Sequence, residues 1–329
     1  MKRMVLLLLF PLAVAAQSLP LQPVKPPPRP KIAGSMVGYV DDAAVGSQVR
    51  VRLEAGFHND VPDRAEFFYG KCGCFRKGAE EAAGPGPGQA NNIRFQQLYL
   101  HAEYAPTSRV SLFAELPFRR IQPQGFSPGP NSVFTKTGEA GGPPVDNLRG
   151  ISDLRAGFKM ALAERPDQAL TLQVRAYFPS GDAVQGMGTG HYSVEPSLLY
   201  YRKLSDRTTL ESQVGDWHPT GGSKGLTAGS GKFAGDVAFY GLGVSHVVYE
   251  SARFKLVPVA ELVGWHVVSG YQTTDAGGTN ARGTDIVNLK AGVRLIVDEH
   301  SSFYAGFGQA LTRQVWYEHL ARVEYRYSF

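Results

Sequence analysis

Apolar and polar residues alternate with a period of two along much of this chain, and the pattern is clearest in residues 317–329. The apolar face of this stretch, interrupted by His319, carries Tyr317, Ala321, Val323, Tyr325, Tyr327 and Phe329. The opposite face carries Glu318, Leu320, Arg322, Glu324, Arg326 and Ser328. A transmembrane β-strand needs about 9–11 residues that alternate between a lipid face and a lumen face. The stretch is therefore predicted to be a membrane-spanning strand that ends on an aromatic residue.

The same alternation predicts eleven strands upstream of this one, which makes twelve in all. The predicted strands span residues 48–58, 93–105, 109–119, 151–163, 169–179, 192–203, 207–217, 236–249, 253–268, 285–297, 302–311 and 317–329. The connections between them alternate between long and short, except that the last is short where a long one is due. The alternation is least regular in the eighth and ninth strands, so ten or fourteen strands stay open as alternatives.

These patterns predict an all-β fold, a single transmembrane antiparallel up-and-down β-barrel of about twelve strands. Such barrels have long extracellular loops and short periplasmic turns, and an even number of strands places both termini in the periplasm. Closure also removes the unpaired strand edges that a bilayer would leave without hydrogen bonds. A soluble lipocalin-like barrel or sandwich explains the alternation, but not the loop asymmetry, the export signal and the terminal aromatic together.

The first 47 residues divide into two segments that precede the predicted barrel, residues 48–329. Residues 1–16 have the pattern of a secretory signal peptide, because Lys2 and Arg3 precede an apolar run that ends in small residues. No cysteine lies at the predicted cleavage site after Ala16, so a lipoprotein anchor is not expected. Residues 17–47 contain the stretch PVKPPPRPK, which favours polyproline II. We expect a flexible periplasmic leader there, with a plug or a partner-binding arm as the alternative.

Composition narrows the class of protein further. No stretch after residue 16 reaches the ~20 apolar residues of a membrane helix, and the mean hydropathy is −0.19. The net charge is +5, but the basic residues are spread through the strands and are not clustered. Nucleic acid is therefore not expected as a partner. The expected surroundings are outer-membrane lipid, in the outer membrane of a bacterium.

Three consecutive stretches carry a more specific pattern. They are GISDLRAGFKMAL (150–162), QVRAYFPSGD (173–182) and GTGHYSVEPSLLYYRKLSDRTTLESQVG (188–215). The first stretch begins with G-x-x-D, the second ends in P-S-G-D, and the third begins with G-x-G. In these motifs the chain resembles the outer-membrane family of the MetA pathway of phenol degradation, whose members are also called transporters. The resemblance covers residues 149–263 and implies a barrel that imports small aromatic or hydrophobic compounds. Turn chemistry also explains Gly181 and Asp182, and a residue such as Asp153 near a strand end is more often a hydrogen-bonding residue of the rim than a ligand.

Most charged residues of the predicted strands fall on the lumen face. The candidates for a constriction are Arg50, Arg52, Glu54, Glu103, Arg155, Lys159, Arg175, Lys290, Arg294, Arg322, Glu324 and Arg326. Other charged residues of this face are Arg119, Glu115, Asp153, Glu195, Glu211, Glu261 and Glu318. Barrel closure would bring the last strand beside the first. The arginines of these two strands are only partly compensated by Glu54 and Glu324, so we expect a positive field there that favours the passage of anions. Two roles fit this set: a structural ladder of ion pairs, or a charged constriction that selects solutes.

Catalytic and metal-binding patterns are not found in the sequence. Cys72 and Cys74, in the stretch KCGC of the first long loop, are candidates for a local disulfide. No histidine lies close enough in sequence to complete a zinc pattern with them. The motifs G-x-S-x-G and H-E-x-x-H do not occur, nor does the H-x-S-N-G of barrel phospholipases. We therefore expect no enzyme activity, no metal and no cofactor.

The sequence as a whole predicts an outer-membrane transporter or narrow channel for a small-molecule solute. The family resemblance points to a hydrophobic or aromatic solute. The alternative is a structural or surface-interaction barrel whose lumen is filled by side chains. The terminal strand, which ends at Phe329, is expected to be recognised by the barrel assembly machinery.

Overall fold

The computed structural model describes residues 35–59, 89–127, 148–182, 187–220, 234–274, 277–313 and 316–329. The strands of these ranges are β1 (Gln48–Asn59), β2 (Gln89–Tyr104), β3 (Val110–Ser127), β4 (Leu148–Ile151), β5 (Leu154–Arg165), β6 (Gln168–Phe178), β7 (Ser193–Lys203), β8 (Thr208–Pro219), β9 (Val237–His246), β10 (Tyr249–Glu250), β11 (Lys255–Val267), β12 (Tyr271–Thr274), β13 (Gly277–Asn280), β14 (Asp285–Ile296), β15 (Ser301–Ala310) and β16 (His319–Ser328). Within the same ranges, no helix is long and apolar enough to cross a membrane.

Twelve of these strands close into an antiparallel barrel. Their order around the wall follows the chain: β1, β2, β3, β5, β6, β7, β8, β9, β11, β14, β15 and β16, which pairs back to β1. Of the remaining four, β4 pairs with β3, β10 pairs with the start of β11, and β12 and β13 form a separate hairpin. The predicted twelve-stranded, closed up-and-down barrel is confirmed.

The two ends of the barrel differ in the length of their connections. At one end, called the turn end, the strands are joined by residues 105–109, 166–167, 204–207, 247–254 and 297–300. At the other, called the loop end, they are joined by residues 60–88, 128–147, 179–192, 220–236, 268–284 and 311–318. The last connection is thus at the loop end, and it is longer than the short link predicted from the sequence.

The outer face of the wall is apolar. Its exposed side chains include Val51, Leu53, Leu112, Phe158, Leu242, Leu289, Phe307 and Val323. Exposed aromatic residues lie towards the ends, among them Tyr104, Tyr192, Tyr249 and Phe329. An apolar band with aromatic residues near its edges is the outer surface of a transmembrane barrel. Water would penalise such a surface, whereas a bilayer accommodates it.

Two elements differ from the predicted pattern at the loop end. Strand β3 continues to Ser127, well past the predicted end at residue 119, because its backbone pairs with β2 as far as Gln89. This extension contains Pro123, and a proline is tolerated there because the described pairing of β3 with β4 ends at Ile121. The predicted fourth strand is interrupted at Ser152 and Asp153, which separate β4 from β5.

The predicted alternation of the last strand fails at its first two residues. Strand β16 begins at His319, so Tyr317 and Glu318 belong to the connection before it. The Tyr317 side chain is buried inside the barrel, not exposed on the outer face. Glu318 is exposed, not in the lumen, and its carboxylate lies 3.5 Å from His58 Nδ1. From Leu320 onward the inward and outward positions agree with the prediction.

The last two residues offer a test of assembly. The Phe329 side chain is exposed on the outer face, whereas Ser328 is half-buried. We predict that Phe329→Ala slows folding into the membrane, while Ser328→Ala assembles at nearly the wild-type rate. The fraction of folded barrel can be followed by its heat-modifiable mobility on gels of unboiled samples. Equal assembly of the two variants would contradict a role for the terminal aromatic side chain.

Candidate functional site

The segment before β1, residues 35–47, lies inside the barrel and is called the inner segment below. The Met36 N–H donates to Glu211 Oε1 of β8 over 2.9 Å. Arg294 of β14 donates to the carbonyl oxygens of Met36 and Val37 over 2.9 and 2.8 Å. Thr171 of β6 donates to the carbonyl of Ala43 over 2.5 Å. Partners on three separated parts of the wall place the segment across the lumen.

One carboxylate holds the middle of the inner segment. Glu261 of β11 accepts the backbone N–H groups of Gly38, Tyr39 and Val40 at 2.8, 2.8 and 2.9 Å. Its side chain is buried. Hydrogen bonds to an ionised group are about twice as strong as neutral ones, and they gain further strength away from water. Glu261 is therefore the main anchor of the segment among the described carboxylates.

Two further arginines bind the carbonyl side of the same segment. Arg326 donates to the Ser35 carbonyl over 2.8 Å, and Arg322 donates to the Gly38 carbonyl. Both arginines belong to β16, so the closing strand holds the segment as well as the wall. Within the described residues this backbone has no sheet partner, and charged side chains of the wall supply many of its hydrogen bonds.

Two aspartates of the inner segment add negative charge to the lumen. The Asp41 carboxylate lies 2.6 Å from Arg175 Nη2 and accepts a hydrogen bond from the Gln173 amide over 2.9 Å. Burial by itself would raise the pKa of Asp41, but Arg175 and Gln173 hold that pKa well below its usual range. Asp42 lies 3.7 Å from Arg326. Both aspartates therefore compensate arginines of the wall.

The inner segment also packs against apolar wall residues. Val37 and Val40 are buried in a cluster with Val257, Val259, Val263, Ile296 and Tyr304. Strand β9 makes room for them with two inward glycines. A Cβ atom on Gly241 would lie 2.9 Å from a Val40 methyl carbon, and one on Gly243 would lie 2.7 Å from Val37 Cγ1. Any larger residue there would push the segment away from the wall.

The position of residues 35–47 inside the barrel differs from the prediction, which placed residues 17–47 in a flexible periplasmic leader. Residues 35–47 match the alternative, a plug, while residues 17–34 lie outside the described residues. The difference arises because the partners of the segment come from β6, β8, β11, β14 and β16, which are distant in sequence. The polyproline stretch upstream indicated an extended chain but gave no information about where it goes.

The twelve predicted constriction residues all project into the lumen. Ten are buried, and Arg52 and Arg175 are half-buried. The closing pair of strands has the predicted register, since Arg50 lies opposite Arg326, Arg52 opposite Glu324, and Glu54 opposite Arg322. The sequence thus identified which charged residues face inward, apart from Glu318.

At the seam between β1 and β16, the arginines are more fully paired than the sequence indicated. Glu54 pairs with Arg322 and lies 3.4 Å from Arg52 Nε. Glu115 of β3 lies 3.4 Å from Arg52 and 2.9 Å from Arg155. The predicted excess of positive charge at the seam is reduced by Glu115, which the sequence could not place there.

Two further carboxylates anchor ion pairs nearer the turn end. Glu324 lies 3.1 Å from both Arg294 and Arg326. Glu103 lies 3.1 Å from Lys159 and accepts a hydrogen bond from the Gln48 amide over 2.8 Å. Buried charges must be paired because desolvation costs several kcal/mol for each ion. Together with the inner segment, these pairs fill the lumen at this level.

Between the inner segment and the loop end lies a cavity of about 200 Å³. Its walls are rich in aromatic residues: Phe95, Tyr99, Tyr177, Trp217, Phe239, Trp265, Trp316 and Tyr317. Tyr39 and Asp41 of the inner segment contribute to the lining, together with Arg52, Glu54, Glu115, Arg155, Arg175, Glu195, Lys290 and Arg322 of the wall. All three tryptophans of the chain line this cavity. The sequence did not predict this cavity, because inward aromatic residues show the same sequence pattern whether they line a cavity or pack in a filled core.

Asp153 has a structural position at the rim. Its carboxylate accepts hydrogen bonds from the backbone N–H groups of Thr189 and Gly181 over 2.7 and 3.1 Å. These bonds fasten the chain after β6 to the break between β4 and β5. This is the rim hydrogen-bonding role that the sequence offered as an explanation. Asp153 belongs to the G-x-x-D motif of the family resemblance, so at least this residue of the motif stabilises the loop after β6.

Two groups of metal-ligating side chains come together on the outside of the loop end within the described ranges. One consists of His58, Glu318 and His319, and the other of Asp216, His218 and Asp236. Each group joins two strands, so spacing in the sequence could not reveal it. At least one residue of each is exposed, and His218 already bonds Asp236 over 2.5 Å. The proposed disulfide of Cys72 and Cys74 lies outside the described residues.

Comparison with known proteins agrees with the fold. No protein-family model and no curated protein matches the chain. Among solved structures, an outer membrane channel from Pseudomonas putida F1 aligns with 89% of this chain and 99% of its own, at 14% identity and a TM-score of 0.55. The β domain of the Bordetella autotransporter BrkA covers 86% and 100% at 15% identity and a TM-score of 0.45. The CymD monoaromatic hydrocarbon channel covers 87% and 89% at 10% identity and a TM-score of 0.40.

The first of these similarities shows that the chain has the fold of an outer-membrane β-barrel. At such low identity it shows the fold alone. The resemblance to the family of the MetA pathway of phenol degradation stays a prediction, and the solute does not follow from the fold.

The role of Glu261 can be tested by how tightly the inner segment is held. With Cys72 and Cys74 replaced by serine, a Val40→Cys variant carries a single buried thiol. Adding Glu261→Gln removes the charge that accepts three backbone hydrogen bonds, so we predict that a maleimide reacts about tenfold faster or more. The matched control is Glu318→Gln, which changes an exposed glutamate that does not contact the segment. An unchanged labelling rate with Glu261→Gln would show that other contacts hold the segment.

Proposed function

We propose that this protein is an outer-membrane channel for small aromatic molecules, closed by its inner segment in the state described. The observation that carries this proposal is the aromatic-walled cavity inside a closed transmembrane barrel. A barrel that served only as a scaffold would gain stability from a filled interior, because an unfilled volume forfeits packing contacts. The cavity combines eight aromatic residues of the barrel with nine charged residues. Apolar walls with convergent polar groups are the usual form of a small-molecule site.

The size of the cavity favours a single-ring compound. An apolar cavity of about 150 Å³ is known to hold one benzene molecule. The cavity here measures about 200 Å³ and is lined by eight aromatic wall residues, so one substituted ring fits. Aromatic pairs in offset or edge-to-face arrangements contribute roughly 0.5–1.5 kcal/mol beyond the area they bury. This conclusion agrees in kind with the solute class that the family resemblance implies.

The charged residues that line the cavity on the side of the inner segment, together with those nearer the turn end, form the constriction in this proposal. At that level, the lumen is crossed by the inner segment and by the ion pairs of Glu54, Glu115 and Glu324. A solute from the cavity would have to pass the segment to leave at the turn end. Passage therefore requires the segment to move, while the ion pairs between strands stay in place.

The lumen nearer the turn end is filled by side chains and by the inner segment. This favours a second candidate, the structural barrel that was the alternative from the sequence. In that case the inner segment would be a permanent part of the core, held by Glu261 and by the arginines of β14 and β16. The two candidates differ in one property, since only the channel requires movement of the segment.

A disulfide between the segment and the wall separates them. A Cβ atom on Gly243 would lie 3.4 Å from Val37 Cβ, close to the separation found in disulfides. With Cys72 and Cys74 replaced by serine, the double variant Val37→Cys, Gly243→Cys should therefore lock when oxidised. We predict that the oxidised form is closed and that reduction restores conductance in planar bilayers and toluene uptake by intact cells.

The two single-cysteine variants serve as controls, because the same oxidant and reductant should leave their conductance unchanged. Heat-modifiable mobility confirms that all forms are folded. Equal conductance of the locked and reduced forms would exclude gating by the segment. Absence of conductance and uptake in every form, including wild type, would favour the structural barrel.

We further propose that the barrel is oriented with the turn end, and so both termini, in the periplasm. The support is the difference in connection length between its two ends, which matches the asymmetry of outer-membrane barrels. In a background without Cys72 and Cys74, Arg282→Cys marks the loop end and Asp206→Cys marks the turn end; both side chains are exposed. A membrane-impermeant maleimide should label only Arg282→Cys in intact cells, and both after lysis. Labelling of only Asp206→Cys would reverse the orientation.

A further inference from the structure

Among the described residues, one cation that lines the cavity forms no ion pair. The charged side chains that line the cavity are five cations and four carboxylates. Among the described residues, Lys290 forms no ion pair, whereas Arg52, Arg155, Arg175 and Arg322 each form at least one. Lys290 is buried, and its ammonium group donates one hydrogen bond, to the Tyr317 hydroxyl over 2.8 Å. A buried ammonium group without a carboxylate is costly unless another partner stabilises it.

Aromatic rings stabilise Lys290 instead. Its Nζ lies 3.7 Å from the ring centroid of Tyr39, 5.3 Å from that of Tyr317 and 5.7 Å from that of Trp265. Such cation–π contacts become stronger when the cation and the ring are shielded from water. The shortest of them is made by a residue of the inner segment, not of the wall.

Tyr39 lies between two cations. Its ring centroid is also 3.7 Å from Arg322 Cζ, so the ring contacts Lys290 and Arg322 equally closely. The Tyr39 hydroxyl and the Arg322 Nε are both buried without a hydrogen-bond partner. The site thus holds an aromatic ring while leaving polar groups unsatisfied, which an acceptor carried by another molecule would satisfy.

We propose that this cavity binds a single-ring aromatic carboxylate, whose carboxylate pairs with Lys290 and Arg322 and whose ring replaces that of Tyr39. The inference rests on the proposed channel function and names its solute class. A bound carboxylate would bring the negative charges at the described lining from four to five, equal to the number of cations there. It also accepts hydrogen bonds from the ammonium group and from Arg322 Nε. Because solute and Tyr39 compete for one place, binding weakens the hold of the wall on the inner segment.

Tryptophan fluorescence measures binding directly, because all three tryptophans line the cavity. The experiment uses the full-length protein in detergent, with benzoate, the neutral isostere benzamide, and toluene as probes. Benzoate should bind wild-type protein about tenfold more tightly than benzamide or better, the effect of one charge-assisted hydrogen bond. This comparison requires no variant, so it does not depend on whether a substituted barrel folds.

Two substitutions then locate the site. Lys290→Met should remove most of the preference for benzoate and leave toluene binding intact, while Lys203→Met, at an exposed position of the turn end, should change neither. Tyr39→Ala should strengthen benzoate binding several-fold by removing the competitor, an effect limited by the cation–π energy it releases. Tyr39→Phe should bind like wild type, since the hydroxyl has no partner. Heat-modifiable mobility is recorded for each variant.

The outcomes separate this inference from the channel proposal. If toluene binds but benzoate shows no preference over benzamide, the carboxylate site is wrong and the aromatic channel stands. If benzoate is preferred but Lys290→Met and Tyr39→Ala leave its affinity unchanged, the proposed place of binding is wrong. If no probe changes the tryptophan fluorescence of any folded form, the cavity is not a solute site, and the channel proposal fails with it.

Discussion

The pairing of the last strand with the first is the interaction on which the rest of the structure depends. Strands β16 and β1 are joined from Gln48, opposite Ser328, to Phe57, opposite His319. In a bilayer, every backbone N–H and C=O must find its partner within the protein, and an antiparallel sheet achieves this only by closing. Closure also separates an outside from an inside. It converts the alternation of each strand into an apolar outer surface and an enclosed polar interior.

The charged side chains of this interior impose an electrostatic constraint. Charges enclosed by a wall and shielded from water need partners, because unpaired buried ions are costly. Wall residues satisfy part of this need through pairs such as Arg155 with Glu115 and Arg294 with Glu324. The inner segment contributes Asp41 and Asp42, and its backbone offers N–H groups to Glu261. It is therefore an electrostatic component of the barrel as well as an obstruction in it.

The same arrangement explains how a closed interior could still admit a solute. The ion pairs between strands hold the wall, whereas the inner segment is held by hydrogen bonds, two aspartates and two valines. Tyr39 and Asp41 are its contacts with the cavity, and the Tyr39 ring lies there between Lys290 and Arg322. In the proposed binding mode, a molecule that offers the same ring, and a charge that Tyr39 lacks, competes for this position. Occupancy of the cavity and closure of the lumen are thereby linked through one residue.

The sequence by itself determined the architecture. Strict alternation in stretches such as residues 285–297 predicted the strands. Their placement in a bilayer required closure of the last on the first, which an even number of antiparallel strands permits. It also identified the inward-facing charges, because a side chain's face follows from its position in the strand. The alternation lost its predictive value where strands begin, break or continue beyond a proline, as at Tyr317, Asp153 and Pro123.

Only the tertiary structure decided the contents of the lumen. Nothing local in residues 35–47 indicates that they lie inside, since their partners come from five strands spread along the chain. Lys290 likewise appeared to be one more inward charge, and only the distances to its described neighbours showed that it forms no ion pair with them. Periodicity fixes the direction of each side chain, but pairing across a lumen depends on the register and curvature of the whole wall. That is why the barrel could be predicted from its strands, whereas the cavity and its closure could not.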